Sequence, residues 1–109
     1  LYNPNYSSYN GCIYSKDGSE LIAVPLYYDG VLNIKAGTAT IGQDAFWVNG
    51  TPNFDNISQI NIPASVTTIE ANQVTTLNYL MSRSTNPVTI TIDSGNTAYQ
   101  ITNNQIVAK

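Results

Sequence analysis

Short stretches in which apolar and polar residues alternate recur along the chain. Leu32-Asn33-Ile34, Ile60-Asn61-Ile62 and Ile90-Thr91-Ile92 each place two aliphatic residues around one polar residue. This alternation is typical of a β-strand with one buried face, because successive side chains point to opposite faces of a sheet. We therefore predict three short strands whose aliphatic side chains point inward. The outward residues would be Asn33, Asn61 and Thr91.

The spacing of these strands indicates repetition. The second strand follows the first after 28 residues, the third follows after 30, and Ile41 and Ile69 repeat the 28-residue offset. A longer echo of 93 residues relates the two ends of the chain, from Asn3, Tyr6, Asn10, Ile13 and Lys16 to Asn96, Tyr99, Asn103, Ile106 and Lys109. Repeated units that cannot bury their own apolar row must stack on one another. The pattern predicts an irregular solenoid whose parallel strands form a sheet along one side.

Two segments depart from the repeat. Two apolar runs between residues 12 and 24 flank Asp17-Gly18, which is the turn chemistry of a β-hairpin. The stretch from Gln73 to Arg83 predicts a helix, and residues 43–46 predict a shorter helical turn. The apolar face of the longer helix would consist of Val74, Leu77, Leu80 and Met81.

The arrangement of these residues resembles a known family. Ile41-Gly42 is followed by Ala45-Phe46, and Ile60-Asn61-Ile62 is followed by Pro63, Val66 and Ile69. This order is similar to the BspA-type leucine-rich repeat. Residues 3–25 resemble the hairpin-bearing unit of that family, and residues 96–109 resemble the start of another. The second coil departs from the pattern at Glu70 and Gln73-Val74.

The resemblance implies a fold and a class of function. It implies a single leucine-rich-repeat solenoid fragment that is β-rich, with a short-stranded parallel sheet, an N-terminal β-hairpin and one or two short helices on the convex side. Its expected units are residues 1–30, 31–56, 57–87 and 88–109. It further implies a non-enzymatic, secreted or cell-surface protein of bacteria or certain protists that is involved in adhesion.

Composition narrows the environment and the partners. A chain of 109 residues with 42% hydrophobic and only 10% charged residues is one folded domain. A net charge of −3 disfavours nucleic acid and anionic lipid as partners, and no apolar stretch is long enough to insert into a membrane. Abundant Asn, Ser, Thr and Tyr favour an extracellular or cell-surface location. The absence of an initial Met and of a signal-peptide pattern suggests a chain cut from a longer precursor.

The sequence contains little that could carry catalysis. It has no His, so a Ser-His-Asp or Cys-His arrangement cannot be built. We interpret Cys12 as a small apolar residue on the inward face of the hairpin. The seven acidic residues are scattered singly, which marks neither a metal site nor a pair of catalytic carboxylates. We expect no enzyme activity, no cofactor and no metal.

A binding surface is the stronger expectation. Outward residues of successive strands form columns, here Asn33, Asn61 and Thr91 flanked by Gln59 and Thr89. Their amides and hydroxyls could hydrogen-bond the hydroxyls of a sugar or the backbone of a peptide. The alternative is that they bond one another and only keep the sheet soluble. Exposed rings are a second candidate surface. These aromatic candidates are Tyr27, Tyr28 and Trp47.

Three functions remain open from the sequence. The first is an adhesion or protein-interaction module that binds a protein or glycan ligand on a host, a matrix or a neighbouring cell. The alternatives are a carbohydrate-binding module and a purely architectural segment of a longer surface solenoid. Terminal units without caps also predict end-to-end self-association of the chain.

Overall fold

The computed structural model describes residues 6–25, 28–46, 54 and 56–109. Within these residues the chain forms ten strands and one helix. The elements in chain order are β1 (Tyr6–Tyr9), β2 (Cys12–Ser15), β3 (Glu20–Ala23), β4 (Gly30–Asn33), β5 (Thr40–Ile41), β6 (Ile57–Ile62), β7 (Thr68–Ile69), α1 (Ala71–Ser82), β8 (Thr89–Ile92), β9 (Tyr99–Thr102) and β10 (Gln105–Ala108). The strands pair into three sheets, in the orders β1-β2-β3-β5-β7, β4-β6-β8 and β10-β9.

The first three strands form an antiparallel meander. β1 and β2 are joined by Asn10-Gly11, whose φ angles of 51° and 82° suit the two-residue turn that matches strand twist. β2 then pairs with β3 around Asp17-Gly18, so the hairpin predicted there is confirmed. Cys12, Tyr14 and Leu21 point from this meander into the core.

The central strands pair in parallel within two of the three sheets. In one sheet, β4, β6 and β8 place Leu32 opposite Ile60, and Ile60 opposite Ile90. In the other, β5 pairs with β7 so that Ile41 lies opposite Ile69. These aliphatic side chains are buried in one common core, while the residues between them face outward. Burying each Ile or Leu contributes about 1.5–3 kcal/mol.

The helix spans Ala71–Ser82, close to the predicted 73–83. Leu77, Leu80 and Met81 are buried as predicted, whereas Val74 is half-buried and the polar Gln73 lies at 1% exposure. The helix can bury Gln73 because both polar atoms of its carboxamide are hydrogen-bonded. Its Oε1 accepts the Phe46 N–H at 2.9 Å and its Nε2 donates to the Gln43 carbonyl at 2.7 Å.

The predicted leucine-rich-repeat solenoid is wrong. The chain is a compact β-rich globule of several small sheets, the largest of them mixed, with a radius of gyration of 13.1 Å. That radius is close to the roughly 13 Å expected of any compact domain of this length. A solenoid repeats one supersecondary unit, but here a helix follows β7, whereas residues 43–46 after β5 form turns and not the predicted helical turn.

The 93-residue echo corresponds to two hairpins and not to whole repeat units. β9 and β10 lie 93 residues after β1 and β2, element for element. The turns also match, since Asn103 and Asn104 have φ angles of 52° and 61°, like those of the first hairpin. In this second hairpin Ile106 is buried, and its N–H donates to Oδ1 of Asn78 on α1 at 2.8 Å.

Candidate functional site

A cleft of about 180 Å³ lies where the three parallel strands β4, β6 and β8 end. This position follows from topology, because the carboxyl ends of parallel strands meet at one edge of a sheet. Four polar residues surround the cleft and three apolar residues complete its lining. They are Asn33, Asn61, Thr91 and Asp93, with Ile34, Ile62 and Pro63.

Hydrogen bonds join the outward side chains of the three strands into a polar ladder. The pairing register places Asn33 opposite Asn61 and Asn61 opposite Thr91. Nδ2 of Asn61 donates to Oδ1 of Asn33 at 2.7 Å, and the Thr91 hydroxyl donates to Oδ1 of Asn61 at 2.6 Å. Nε2 of Gln59 donates to the same Asn61 oxygen at 2.7 Å. The ladder therefore fixes the side chains that surround the cleft.

The ladder runs in one direction and leaves polar groups for a ligand. Both cross-strand bonds, from Thr91 to Asn61 and from Asn61 to Asn33, are donated toward β4, so the row ends at Asn33, whose Oδ1 accepts a bond. Among the described residues, Nδ2 of Asn33 has no protein partner, so it remains as a donor. At the other end Asp93 follows β8, and its Oδ1 accepts the Gly95 N–H at 2.8 Å. A carboxylate accepts several hydrogen bonds, so Asp93 keeps acceptor capacity.

The three apolar residues of the lining are held rigidly. Ile34 and Ile62 are core residues, exposed by only 5% and 2%. Their backbone is held in place, because the Ile34 N–H donates to the Asn61 carbonyl at 3.2 Å and the Asp93 N–H donates to the Ile62 carbonyl at 3.0 Å. Pro63, half-buried, has no N–H and limits backbone movement on the same side.

The structure brings together three of the predicted surface residues and places others nearby. Asn33, Asn61 and Thr91 line the cleft. Gln59 and Thr89 lie opposite each other, two residues earlier on β6 and β8. Tyr28 is not an exposed ring. It packs against the core, and its hydroxyl donates to the Val31 carbonyl at 3.2 Å. Tyr27 and Trp47 lie outside the described residues.

Sequence reasoning missed Asp93 as part of this site. In the sequence Asp93 is one of seven singly placed acidic residues, although it directly follows the Ile90-Thr91-Ile92 strand. A polar residue immediately after a predicted parallel strand is a usable signal, because the carboxyl ends of neighbouring parallel strands lie at one edge of a sheet and bring such residues together. The apolar Ile34, Ile62 and Pro63 gave no such signal, since aliphatic residues in an alternating strand predict core positions and not a binding site.

Neither Cys12 nor Asp17 lines the cleft. Cys12 is completely buried, and burial raises the pKa of its thiol to about 11, so the nucleophilic thiolate is scarce at neutral pH. Asp17 lies in the β2–β3 turn, where the backbone N–H of Ser19, the Ser19 hydroxyl and the Ser15 hydroxyl lower the pKa of its carboxyl to about 2. These hydrogen bonds show that Asp17 stabilises the turn between β2 and β3. Among the described residues no cluster of three or more His, Cys, Asp or Glu could hold a metal.

Two further findings bear on the nature of the protein. Among the described residues, no helix has both the length and the apolar character needed to cross a bilayer. Comparison of the chain with protein-family models, with curated proteins and with solved structures found no match. The resemblance to BspA-type repeats therefore stays a prediction made from the sequence.

Proposed function

We propose that this domain is a non-enzymatic adhesion module of a secreted or cell-surface bacterial protein. It contacts a protein or glycan on a host, a matrix or a neighbouring cell through the outward face of the β4-β6-β8 sheet. The observation that supports this is the polar ladder beside the cleft, in which Asn33, Asn61 and Thr91 are held in fixed positions. Fixed polar groups lose little conformational entropy on binding, which favours recognition.

The chemistry of the chain supports binding over catalysis. The sequence has no His, and the thiol of Cys12 is buried and protonated. A surface of neutral amides and hydroxyls suits weak contacts that gain strength when many copies are displayed together. Adhesion by many copies of one module on a surface uses weak contacts of this kind.

Substitution at the centre of the ladder tests the proposal. Asn61→Arg removes the hydrogen bonds that Asn61 makes to three neighbours and places a long cation at the cleft, so we expect binding to cells and immobilised matrix proteins to fall at least about tenfold. Circular dichroism and urea unfolding of each variant verify that it is folded. The control is Thr75→Arg, which adds the same charge to an exposed position of α1.

The outcomes separate this function from the architectural alternative. Equal loss of binding in both variants would indicate a nonspecific charge effect and contradict the proposed surface. If the 109-residue domain binds nothing while a longer chain that contains it does, the domain is an architectural segment. Binding that Asn61→Arg abolishes and Thr75→Arg preserves supports the adhesion surface.

A further inference from the structure

The cleft has a polar rim beside a small apolar surface. The rim carries two amides, a hydroxyl and a carboxylate, and the half-buried Pro63 supplies most of the exposed hydrocarbon, because Ile34 and Ile62 are almost completely buried. A sugar ring has the complementary character, because its C–H face is apolar and its edge carries hydroxyls. We infer that this cleft binds one neutral sugar residue of a glycan, an inference that rests on the adhesion surface proposed above.

Hydrogen-bonding capacity at the two ends of the cleft fits a hydroxyl-bearing ligand. Nδ2 of Asn33 is a donor without a partner among the described residues, and the Asp93 carboxylate at the β8 side is an acceptor. A sugar hydroxyl both donates and accepts, so two well-separated hydroxyls of one ring can bond the two groups, which lie two strands apart. The ladder keeps Asn33 oriented, because Nδ2 of Asn61 holds its Oδ1.

Charge selects against acidic ligands. None of the cleft-lining residues is Lys or Arg, and Asp93 places a carboxylate at the rim. The whole chain carries a net charge of −3, which adds to the repulsion of anions. Sialic acids, uronic acids and phosphorylated sugars are therefore disfavoured, and a neutral sugar is the compatible class.

The size of the cleft limits how much ligand it can hold. Its volume of about 180 Å³ lies below the roughly 300–1,000 Å³ of pockets that enclose drug-sized molecules. It therefore takes one ring of a larger glycan and leaves the rest in solvent. Binding of a single sugar is expected to be weak, so avidity must come from several displayed copies.

Nuclear magnetic resonance titration of the 109-residue domain tests the inference. Methyl glycosides of glucose, galactose, mannose and N-acetylglucosamine are added separately, with glucuronic acid as the acidic comparison. At least one neutral glycoside is expected to shift the side-chain amide signals of Asn33 and Asn61, while glucuronic acid leaves them unchanged. The inference is overturned if only glucuronic acid shifts these amide signals, or if none of the sugars shifts them.

An isosteric variant supplies the sharper test. Asn33→Asp keeps the oxygen that Asn61 bonds but replaces the free NH₂ donor with an acceptor, so affinity for the neutral glycoside is expected to fall at least about tenfold. Asn103→Asp makes the same chemical change in the exposed β9–β10 turn and is expected to leave affinity unchanged. Equal affinity of the wild-type and Asn33→Asp proteins overturns the inference.

The same variant distinguishes failure of the sugar inference from failure of the adhesion proposal. If no glycoside binds but binding to a matrix protein is lost in Asn33→Asp, the surface is correct and the sugar is not its ligand. If neither sugars nor proteins respond to Asn33→Asp and Asn61→Arg, both the inference and the proposed function fall.

Discussion

Asn61 is central to the outward surface because a carboxamide both donates and accepts. Its oxygen accepts bonds from Gln59 and Thr91, and its nitrogen donates to Asn33. A Ser at this position would offer a shorter hydroxyl, and a carboxylate would offer no donor. The alternation of residues predicted that Asn61 points outward. Its bonding to both neighbours depends on the register of three strands, which local alternation does not determine.

Asp17 shows how local bonding determines the ionisation of one carboxyl group. The backbone N–H of Ser19, its hydroxyl and the Ser15 hydroxyl all donate to Oδ1 of Asp17 at 2.7–3.0 Å, and these bonds favour the charged form. The pKa in the folded protein, about 2, is below the ordinary 3.8. Stability from this group is therefore present above about pH 4 and is lost as the pH falls toward 2.

Removal of one donor tests that assignment. We expect Ser19→Ala to move the Asp17 pKa upward, toward 3.8, because two of its hydrogen bonds remain and one is gone. A carbonyl-detected titration of the Asp17 side chain measures the shift directly. In urea unfolding, Asp17→Asn should show a shallower loss of stability between pH 4 and pH 2 than the wild type. An unchanged Asp17 pKa in Ser19→Ala would contradict this account.

At the scale of elements, α1 is held to the sheets by polar as well as apolar contacts. Gln73 bridges the helix to the turn after β5, and Asn78 accepts the N–H of Ile106 in the second hairpin. Periodicity predicted the helix from its Leu and Met residues. It did not predict a buried Gln, because the partners of Gln73 are about 27–30 residues away in sequence and become neighbours only in the folded chain.

Gln73→Ala is expected to destabilise the fold strongly. The substitution leaves the Phe46 N–H without its buried acceptor and removes one donor from the Gln43 carbonyl, which together cost about 2 kcal/mol or more. Urea unfolding with an unchanged m-value measures the loss. The matched control is Asn72→Ala, which removes an exposed bond to the same Gln43 carbonyl and should cost less than about 1 kcal/mol. Equal costs for the two variants would refute the bridging role.

The first hairpin turn carries a conformational requirement that can be isolated. Gly11 has a φ of +82°, and a Cβ placed there would meet nothing within 4 Å, so only backbone conformation opposes a side chain. We expect Gly11→Ala to destabilise the domain by about 1–2 kcal/mol. Gly11→Asn should cost less, because Asn adopts this conformation more readily, as Asn104 does in the second hairpin. Thermal unfolding of both variants measures the difference, and the reverse order would contradict the argument.

At the scale of the whole molecule, two hairpins flank a parallel core. Tyrosine hydroxyls link each hairpin to that core: the hydroxyl of Tyr14 accepts the Lys35 N–H at 3.1 Å, and that of Tyr99 accepts the Ile69 N–H at 2.8 Å. The outer edge of β1 is open among the described residues, since β1 pairs only with β2 there. Tyr6 and Tyr9 on this strand are 44% and 41% exposed.

This open edge gives the predicted self-association a physical location. Unpaired strand edges with exposed aromatic residues favour pairing between chains. We expect concentration-dependent association of the domain in light scattering and sedimentation, and we expect Ser8→Lys, which adds a charge to the edge strand, to suppress it. A wild-type protein that remains monomeric across the micromolar range would rule out this contact.

The amino-acid sequence by itself determined local features of this protein. Alternation predicted which side chains of three strands are inward, turn chemistry predicted the pairing of β2 with β3, and spacing predicted α1 within two residues at its start. These features depend on neighbours a few residues apart, and local steric preference and amphipathic burial are sufficient to favour them. The absence of His from the sequence also showed that this chain cannot build a Ser-His-Asp or Cys-His arrangement.

The offsets of 28 and 30 residues also predicted the column of Asn33, Asn61 and Thr91, but the tertiary structure alone decided how the sheets assemble into one domain. The repeat seen in the sequence does not extend into a solenoid, because the connections between parallel strands differ and hairpins occupy both ends. Asn33, Asn61, Thr91 and Asp93 become one cleft only when strands some 30 residues apart pair in register. The free energy of that pairing comes from burial of the shared core, which no single segment can supply.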